Sequence, residues 1–192
     1  MTNVHAIQNH VVLILREGLS DLLTYHNVDH TLDVARQSIR IAKSEGIVDK
    51  QQLMELKIAA LYHDTGFLQV YRHHEEKSCE HARKELPGFG IDEKTINNIC
   101  TIIMATRIPQ SPQNHIQQII CDADLDYLGR KDFFETGEKL RKELTAKKII
   151  SSRKEWEHTQ RIFLQSHKYF TKTSQQEREA GKQKNIQLLL VS

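Results

Sequence analysis

The segment Gln51–Tyr62 constrains the chain more than any other. Its apolar positions Leu53, Leu56, Ala59 and Ala60 spread over too wide a face for a surface helix, so it reads as a helix buried in the middle of a bundle. It runs directly into His63-Asp64-Thr65-Gly66. A His-Asp pair by itself is most often a surface accident or a local hydrogen-bonded pair, so its place at the end of this helix is what gives it weight. Adjacent residues on a helix point about 100° apart. At a helix end followed by Thr-Gly, however, the backbone is free enough for both side chains to turn to one point.

The rest of the chain supports an all-α fold. Eight Gly and three Pro in 192 residues are too few for the tight turns of an all-β protein of this length. Helices are expected over Val4–Leu23, from His30 to a stop at Gly46, over Gln51–Tyr62 and over His74–Leu86. Asp92 is a plausible N-cap for a helix reaching Ala105. Ile116, Ile119, Ile120, Ala123 and Tyr127 mark a sixth helix ending at Gly129, and residues 131–147 and 153–170 two more. The stretch from Ser174 is polar until Ile186, and reads either as a helix docked by its end or as a fraying tail. No linker or repeat divides the chain, so one domain is expected over residues 1–192, with a motif-bearing core at about 24–129 and C-terminal helices at about 131–190.

Net charge is +2, and no basic stripe is present, which argues against nucleic acid and anionic membranes as partners. The three cysteines, Cys79, Cys100 and Cys121, form no C-x-x-C pair. With no signal-like start and no run approaching ~20 apolar residues, the expectation is a cytoplasmic protein. The apolar end Ile186–Val191 hints at a homodimer contact, against packing on its own domain.

Four pieces carry candidate chemistry: Tyr25-His26-Asn27-Val28-Asp29-His30, His63-Asp64-Thr65-Gly66, His74-Glu75-Glu76-Lys77-Ser78, and Asp122-Ala123-Asp124-Leu125-Asp126. Each has a plain alternative. Tyr25 and His26 could cap the first helix, His74 could face solvent, and the aspartates could be a solvated acidic run. Asp122, however, lies beside the apolar positions Ile119, Ala123 and Tyr127, where burial without a partner would be costly. Imidazoles mixed with carboxylates suit a hard or borderline divalent cation.

Taken together, the pieces resemble the H…HD…D signature of the HD superfamily of metal-dependent phosphohydrolases. YHNVDHTLDV resembles the first ligand helix of many members, including cyclic-nucleotide phosphodiesterases. HDTGF resembles the HD helix end and its turn, HEEKS the H-E-x-x-S piece of bacterial members, and CDADLDYLG the aspartate-rich run that holds the last ligand. The resemblance spans residues 24–129. It implies a helical bundle with a central site, metal ligands His30, His63, Asp64 and Asp122, and hydrolysis of a small-molecule phosphoester or phosphoanhydride, usually of a nucleotide. It leaves open Mn, Fe, Co, Ni, Zn or Mg as the divalent ion. A second ion would draw on His74 or His115, and because the stretch Ile102–Ile108 has no His, one ion is favoured.

On this reading Asp64 or Asp122 orients the attacking water, while His74, Glu75 or Lys77 serves the leaving side and Glu75 alternatively orients a ligating histidine. Arg107 is the substrate-binding candidate among Arg107, Lys147, Lys148, Arg153 and Lys154, which otherwise read as solvated surface. Trp156, Phe163, Tyr169 and Phe170 could stack on a base, although their helical spacing favours core packing. The rival readings are a cyclic-nucleotide phosphodiesterase-like activity and a non-catalytic metal- or nucleotide-binding regulatory module. The second usually loses a ligand, and all four are present here.

Overall fold

In the computed structural model, which describes residues 3–191, the fold is all-α, with nine helices and no strand among the described residues. Helices α1 (Val4–Gly18), α2 (Val28–Ser44), α3 (Lys50–Tyr62), α4 (His74–Glu85), α5 (Glu93–Met104) and α6 (His115–Asp124) form one packed group. Helices α7 (Phe133–Ala146), α8 (Arg153–Ser166) and α9 (Lys172–Val191) follow it. Short 3₁₀ turns at Thr65–Leu68, Leu86–Phe89 and Asp126–Gly129 link them.

The local chemistry explains most boundaries. Asn27, Asp49, Asp92, Asn114 and Ser152 each accept a backbone N–H of the helix they precede, and so cap α2, α3, α5, α6 and α8. Asn27 starts α2 at Val28, two residues before the expected His30, so His30 sits in the first turn. Gly46 adopts φ +81 just beyond α2, as its expected role as a stop requires. The first helix is shorter than expected. It ends at Gly18, where an added Cβ would lie 2.7 Å from Leu68, and Leu19 turns to extended backbone. Tyr25 and His26 therefore do not cap it and belong to a separate junction.

Helix α3 is the axis of the first group. Leu56, Ile58, Ala59, Ala60, Leu61 and Tyr62 are all fully buried, and α1, α2, α4, α5 and α6 pack round it. This cluster holds most of the apolar core. A second cluster, including Tyr25, Tyr127, Phe133, Leu164 and Ile186, joins α7, α8 and α9 to the turn at 126–129. The seam between the two clusters is where His63 and Asp64 emerge.

The polar stretch from Ser174 does not fray. It is part of α9, which docks by its middle. Gly181 lies against Gly129 so closely that an added Cβ would sit 2.0 Å from the Gly129 carbonyl oxygen, and Asn185 donates to Leu128 O at 2.9 Å. At its end Ile186 and Leu189 are buried while Leu188 and Leu190 are exposed, so the apolar terminus packs on its own chain along one face; the side chain of Val191 lies outside the described residues. No described helix is long and apolar enough to cross a membrane.

Glycine within a helix costs about 1 kcal/mol relative to alanine, so replacing it would ordinarily stabilise. Gly181→Ala is expected to do the reverse, lowering the Tm measured by calorimetry, because the obstacle is backbone. An unchanged or raised Tm would show that α9 does not dock at Gly129.

Candidate metal centre

His63 is held before any ion is considered. Its Nδ1 donates to Ala60 O at 2.8 Å, which leaves Nε2 free to accept. The Thr65-Gly66 turn that follows passes against the start of α4, where a Cβ on Gly66 would fall 2.0 Å from His74 O. Ser78, the last residue of HEEKS, closes this contact. Its hydroxyl donates to His63 O at 2.7 Å and accepts from Gly66 N–H at 2.8 Å. The HD turn and α4 are thus one rigid unit.

Around it, His30 from α2 brings Nε2 to 3.4 Å from His63 Nε2 and 3.4 Å from Asp64 Oδ2. Asp124, the last residue of α6, brings Oδ1 to 3.2 Å from His30 Nε2 and 3.5 Å from His63 Nε2. His63 Nε2 lies 3.2 Å from Asp64 Oδ2. All four residues are at or near full burial, and Asp64 Oδ2 has no hydrogen-bond partner. The His30, His63 and Asp124 donors can share one centre at the ~2.0–2.2 Å typical of nitrogen and oxygen ligands, with Asp64 Oδ2 beside both imidazoles. Two neutral imidazoles and two carboxylates would balance a divalent ion. The donor set and the orphaned carboxylate oxygen therefore fit such an ion. Among the described residues, His30, His63 and Asp124 form the group whose donor atoms are close enough to hold one.

The electrostatics have the same origin. Burial acts to lower the His30 pKa, but hydrogen bonds to Asp124 and Asp64 outweigh it and raise the ring to about 9. His63 is raised against the same burial, by the charges of Asp64 and Asp124. The two carboxylates are held well below their ordinary range by the imidazoles, again against burial.

Asp122, expected as a ligand, lies outside this donor group. Asp122 is fully buried, as its apolar neighbours suggested, but its partners are elsewhere. Its oxygens accept from Phe170 N at 2.9 Å, Thr171 N at 2.8 Å and the Thr171 hydroxyl at 2.7 Å. Residues two apart on a helix face opposite sides, so Asp122 and Asp124 cannot serve one centre. Asp126, one turn on, binds Arg178 Nε at 2.9 Å and Arg40 Nη2 at 3.2 Å.

His74 does face the centre. Its Nε2 lies 3.4 Å from Asp64 Oδ1 and 3.6 Å from Glu75 Oε1. Lys77 and Arg107 do not: Lys77 pairs with Glu80 at 2.5 Å, and exposed Arg107 donates to Glu76 at 2.6 Å and His73 at 3.1 Å. His115 pairs with Glu45 at 3.3 Å. Lys147 lies over the Tyr71 ring, and Arg153 pairs with Glu138 and Glu157.

Sequence reasoning missed one participant. Glu143, fully buried in the otherwise polar α7, accepts the Tyr25 and His26 N–H groups at 3.0 Å, His26 Nδ1 at 2.5 Å and the Tyr71 hydroxyl at 2.9 Å. It thereby fixes His26, whose ring stacks on Phe67, which also stacks on His74. No spacing in the sequence links Glu143 to His26, 117 residues away. Beside Asp64, His74 and Asp124 lies a cavity of about 240 Å³. His26, Trp156 and Phe163 line it, so these two aromatics, for which core packing was favoured, border the site. Tyr169 and Phe170 pack in the two cores.

The model of the HD domain matches residues 27–127. Two solved structures are similar over nearly the whole chain. A predicted HD superfamily hydrolase from an uncultured Thermotogales bacterium has TM-score 0.64 and 22% identity, covering 95% of this chain and 88% of that one. YpgQ of Bacillus subtilis, solved in complex with ADP, has TM-score 0.66 and 18% identity, covering 97% and 94%. At these identities the likeness shows the fold. No curated protein matches the sequence.

Two outcomes test the centre. Asp124→Ala should abolish stoichiometric binding of Mn or Zn measured by plasma emission, whereas Asp122→Ala should keep the metal and lower stability by about 2–3 kcal/mol through the buried donors it orphans. The reverse pattern would restore Asp122 as ligand. Because His30 holds a proton up to about pH 9 without metal, binding should release protons and tighten as pH rises from 6 to 9. Calorimetry in buffers of different ionisation enthalpy reads that release, and pH-independent affinity would contradict it.

Proposed function

The chain belongs to the HD domain family of hydrolases, and on that premise we propose that it is a divalent-metal-dependent phosphohydrolase acting on a small phosphate ester or anhydride of nucleotide type. The observation that carries the reading is the convergence of the His30, His63 and Asp124 donors on one point, with Asp64 Oδ2 buried beside both imidazoles, at the mouth of a cavity. When bound there, the ion supplies Lewis acidity and a water of lowered pKa.

The chain's own groups divide the remaining work. Asp64 uses Oδ2 in the donor set and turns Oδ1 toward His74, so His74 and Glu75 position this carboxylate rather than carry the leaving-group proton. His26 is the proton donor. Glu143 fixes its Nδ1, and its other nitrogen has no protein partner among the described residues. Tyr25 packs against the His30 ring, with centroids 4.6 Å apart, and limits how that ring can turn. The work belongs to a reducing compartment such as the cytoplasm, in keeping with three free, buried cysteines.

The test is hydrolysis of bis-p-nitrophenyl phosphate and p-nitrophenyl phosphate by the metal-loaded chain. His63→Ala and Asp64→Ala should lose both metal and turnover. His26→Gln should keep the metal while kcat falls roughly 10²–10⁴-fold, the ordinary worth of a positioned proton donor. Metal-loaded wild type that cleaves neither ester, nor any member of a nucleotide panel, would overturn the reading.

A further inference from the structure

The cavity beside the centre has an unusual lining for a phosphate site. Its acidic and imidazole groups all gather at one end, with Asp64, Glu75 and Asp124 among them. Beyond them the wall is Ile108, Leu140, Leu144, Trp156, Phe163 and Leu164, and no Lys or Arg lines it among the described residues. Arg36, Arg130 and Lys139 line a different cavity, on the His30 side, and each is already in an ion pair, with Asp33, Asp33 again and Glu135. A second or third phosphate entering the apolar cavity would therefore meet carboxylates or hydrocarbon with nothing to neutralise it.

Gln160 is the carboxamide in this wall, beside the hydroxyls of Thr106 and Thr159. Gln160 on α8 is only 6% exposed and lines the cavity, yet its carboxamide has no hydrogen-bond partner among the described residues. The amide is open to the cavity rather than sealed from it, so a ligand there meets a donor and an acceptor that no protein group uses. Its position is set by Gly137 on α7, where any Cβ would lie 2.5 Å from Gln160 Nε2. The volume, about 240 Å³, is below the ~300–1,000 Å³ of drug-sized pockets and admits one small body rather than a dinucleotide.

We propose that Gln160 is the specificity residue of this site, and that the substrate carries a single phosphoryl group on a small body ending in a flat, uncharged ring with an amide-like edge. The ring lies among Trp156 and Phe163, and Gln160 pairs with its adjacent donor and acceptor. This deepens the phosphohydrolase reading and rests on it for the position of the phosphate, but its test is binding.

Calorimetric titration of the metal-loaded full chain would use four probes: guanosine 5′-monophosphate, ribose 5-phosphate and phenyl phosphate as P–C phosphonate analogues that resist hydrolysis, and a non-hydrolysable guanosine triphosphate. Wild type should bind the monophosphate analogue at least about tenfold more tightly than the ribose or triphosphate analogues, since a site built to hydrogen-bond an edge rejects ligands lacking it. Gln160→Leu should weaken the guanosine monophosphate analogue about tenfold and leave the phenyl analogue unchanged. Gly137→Ala, which displaces only the flexible end of Gln160, should act in the same direction with Gln160 intact. Equal affinity for the guanosine and ribose monophosphate analogues, tighter binding of the triphosphate, or no effect of Gln160→Leu would overturn the proposal. Cleavage of p-nitrophenyl esters with any of those results would leave the hydrolase reading standing. The expected binding pattern without cleavage would remove the hydrolase reading and keep the ligand class.

Discussion

Burying His63 and Asp64 at the end of an apolar helix is the constraint on which the rest of the structure depends. A carboxylate and an imidazole removed from water need opposite charge, hydrogen bonds or a metal close by. Helix α3 is surrounded by five others, so its end cannot reach bulk solvent, and compensation must come from neighbouring elements. His30 from the start of α2 and Asp124 from the end of α6 supply it. The bundle thus arranges three helix ends around one point. The flexibility of helix termini lets the four side chains converge, and the rigid middles keep that point fixed.

Precision comes from groups that touch no ligand. Ser78 ties the HD turn to α4, and Gly66 permits the backbone approach that the tie requires. Glu143 performs the same service for the junction at 25–26, gathering four donors on one buried carboxylate. Burial acts to raise its pKa, but the bonds from His26 dominate and hold it charged below the usual range. The C-terminal helices are therefore part of the site. Helix α7 fixes His26, α8 walls the cavity, and the α9 start is bound by Asp122.

The run Asp122-Ala123-Asp124-Leu125-Asp126 condenses this division of labour. Three carboxylates two residues apart serve three ends: the α9 start, the His30–His63 pair of the candidate metal centre, and an arginine pair formed by Arg40 and Arg178. Each is buried or nearly so, and each is compensated by a different element. Losing any one would be felt in a different property: docking of the C-terminal helices, metal content, or the α2–α9 contact.

The sequence by itself determined the all-helical class, the Asp92 cap and the Gly46 stop, and the burial of α3, because these follow from local rules of apolar period and capping; that His30 belongs with His63-Asp64 came from the resemblance of the motifs to a known family. It also determined that Asp122 must be buried with a partner. Only the tertiary structure decided which partner. On α6 both Asp122 and Asp124 have apolar residues one turn before them, so periodicity cannot rank them; the choice belongs to α9, whose start claims Asp122 and leaves Asp124 to the histidines. The tertiary structure likewise brought Glu143 to His26 and Gln160 to the cavity, because pairings across more than a hundred residues depend on how helices pack, and helical periodicity records only that a face is buried, not what it is buried against.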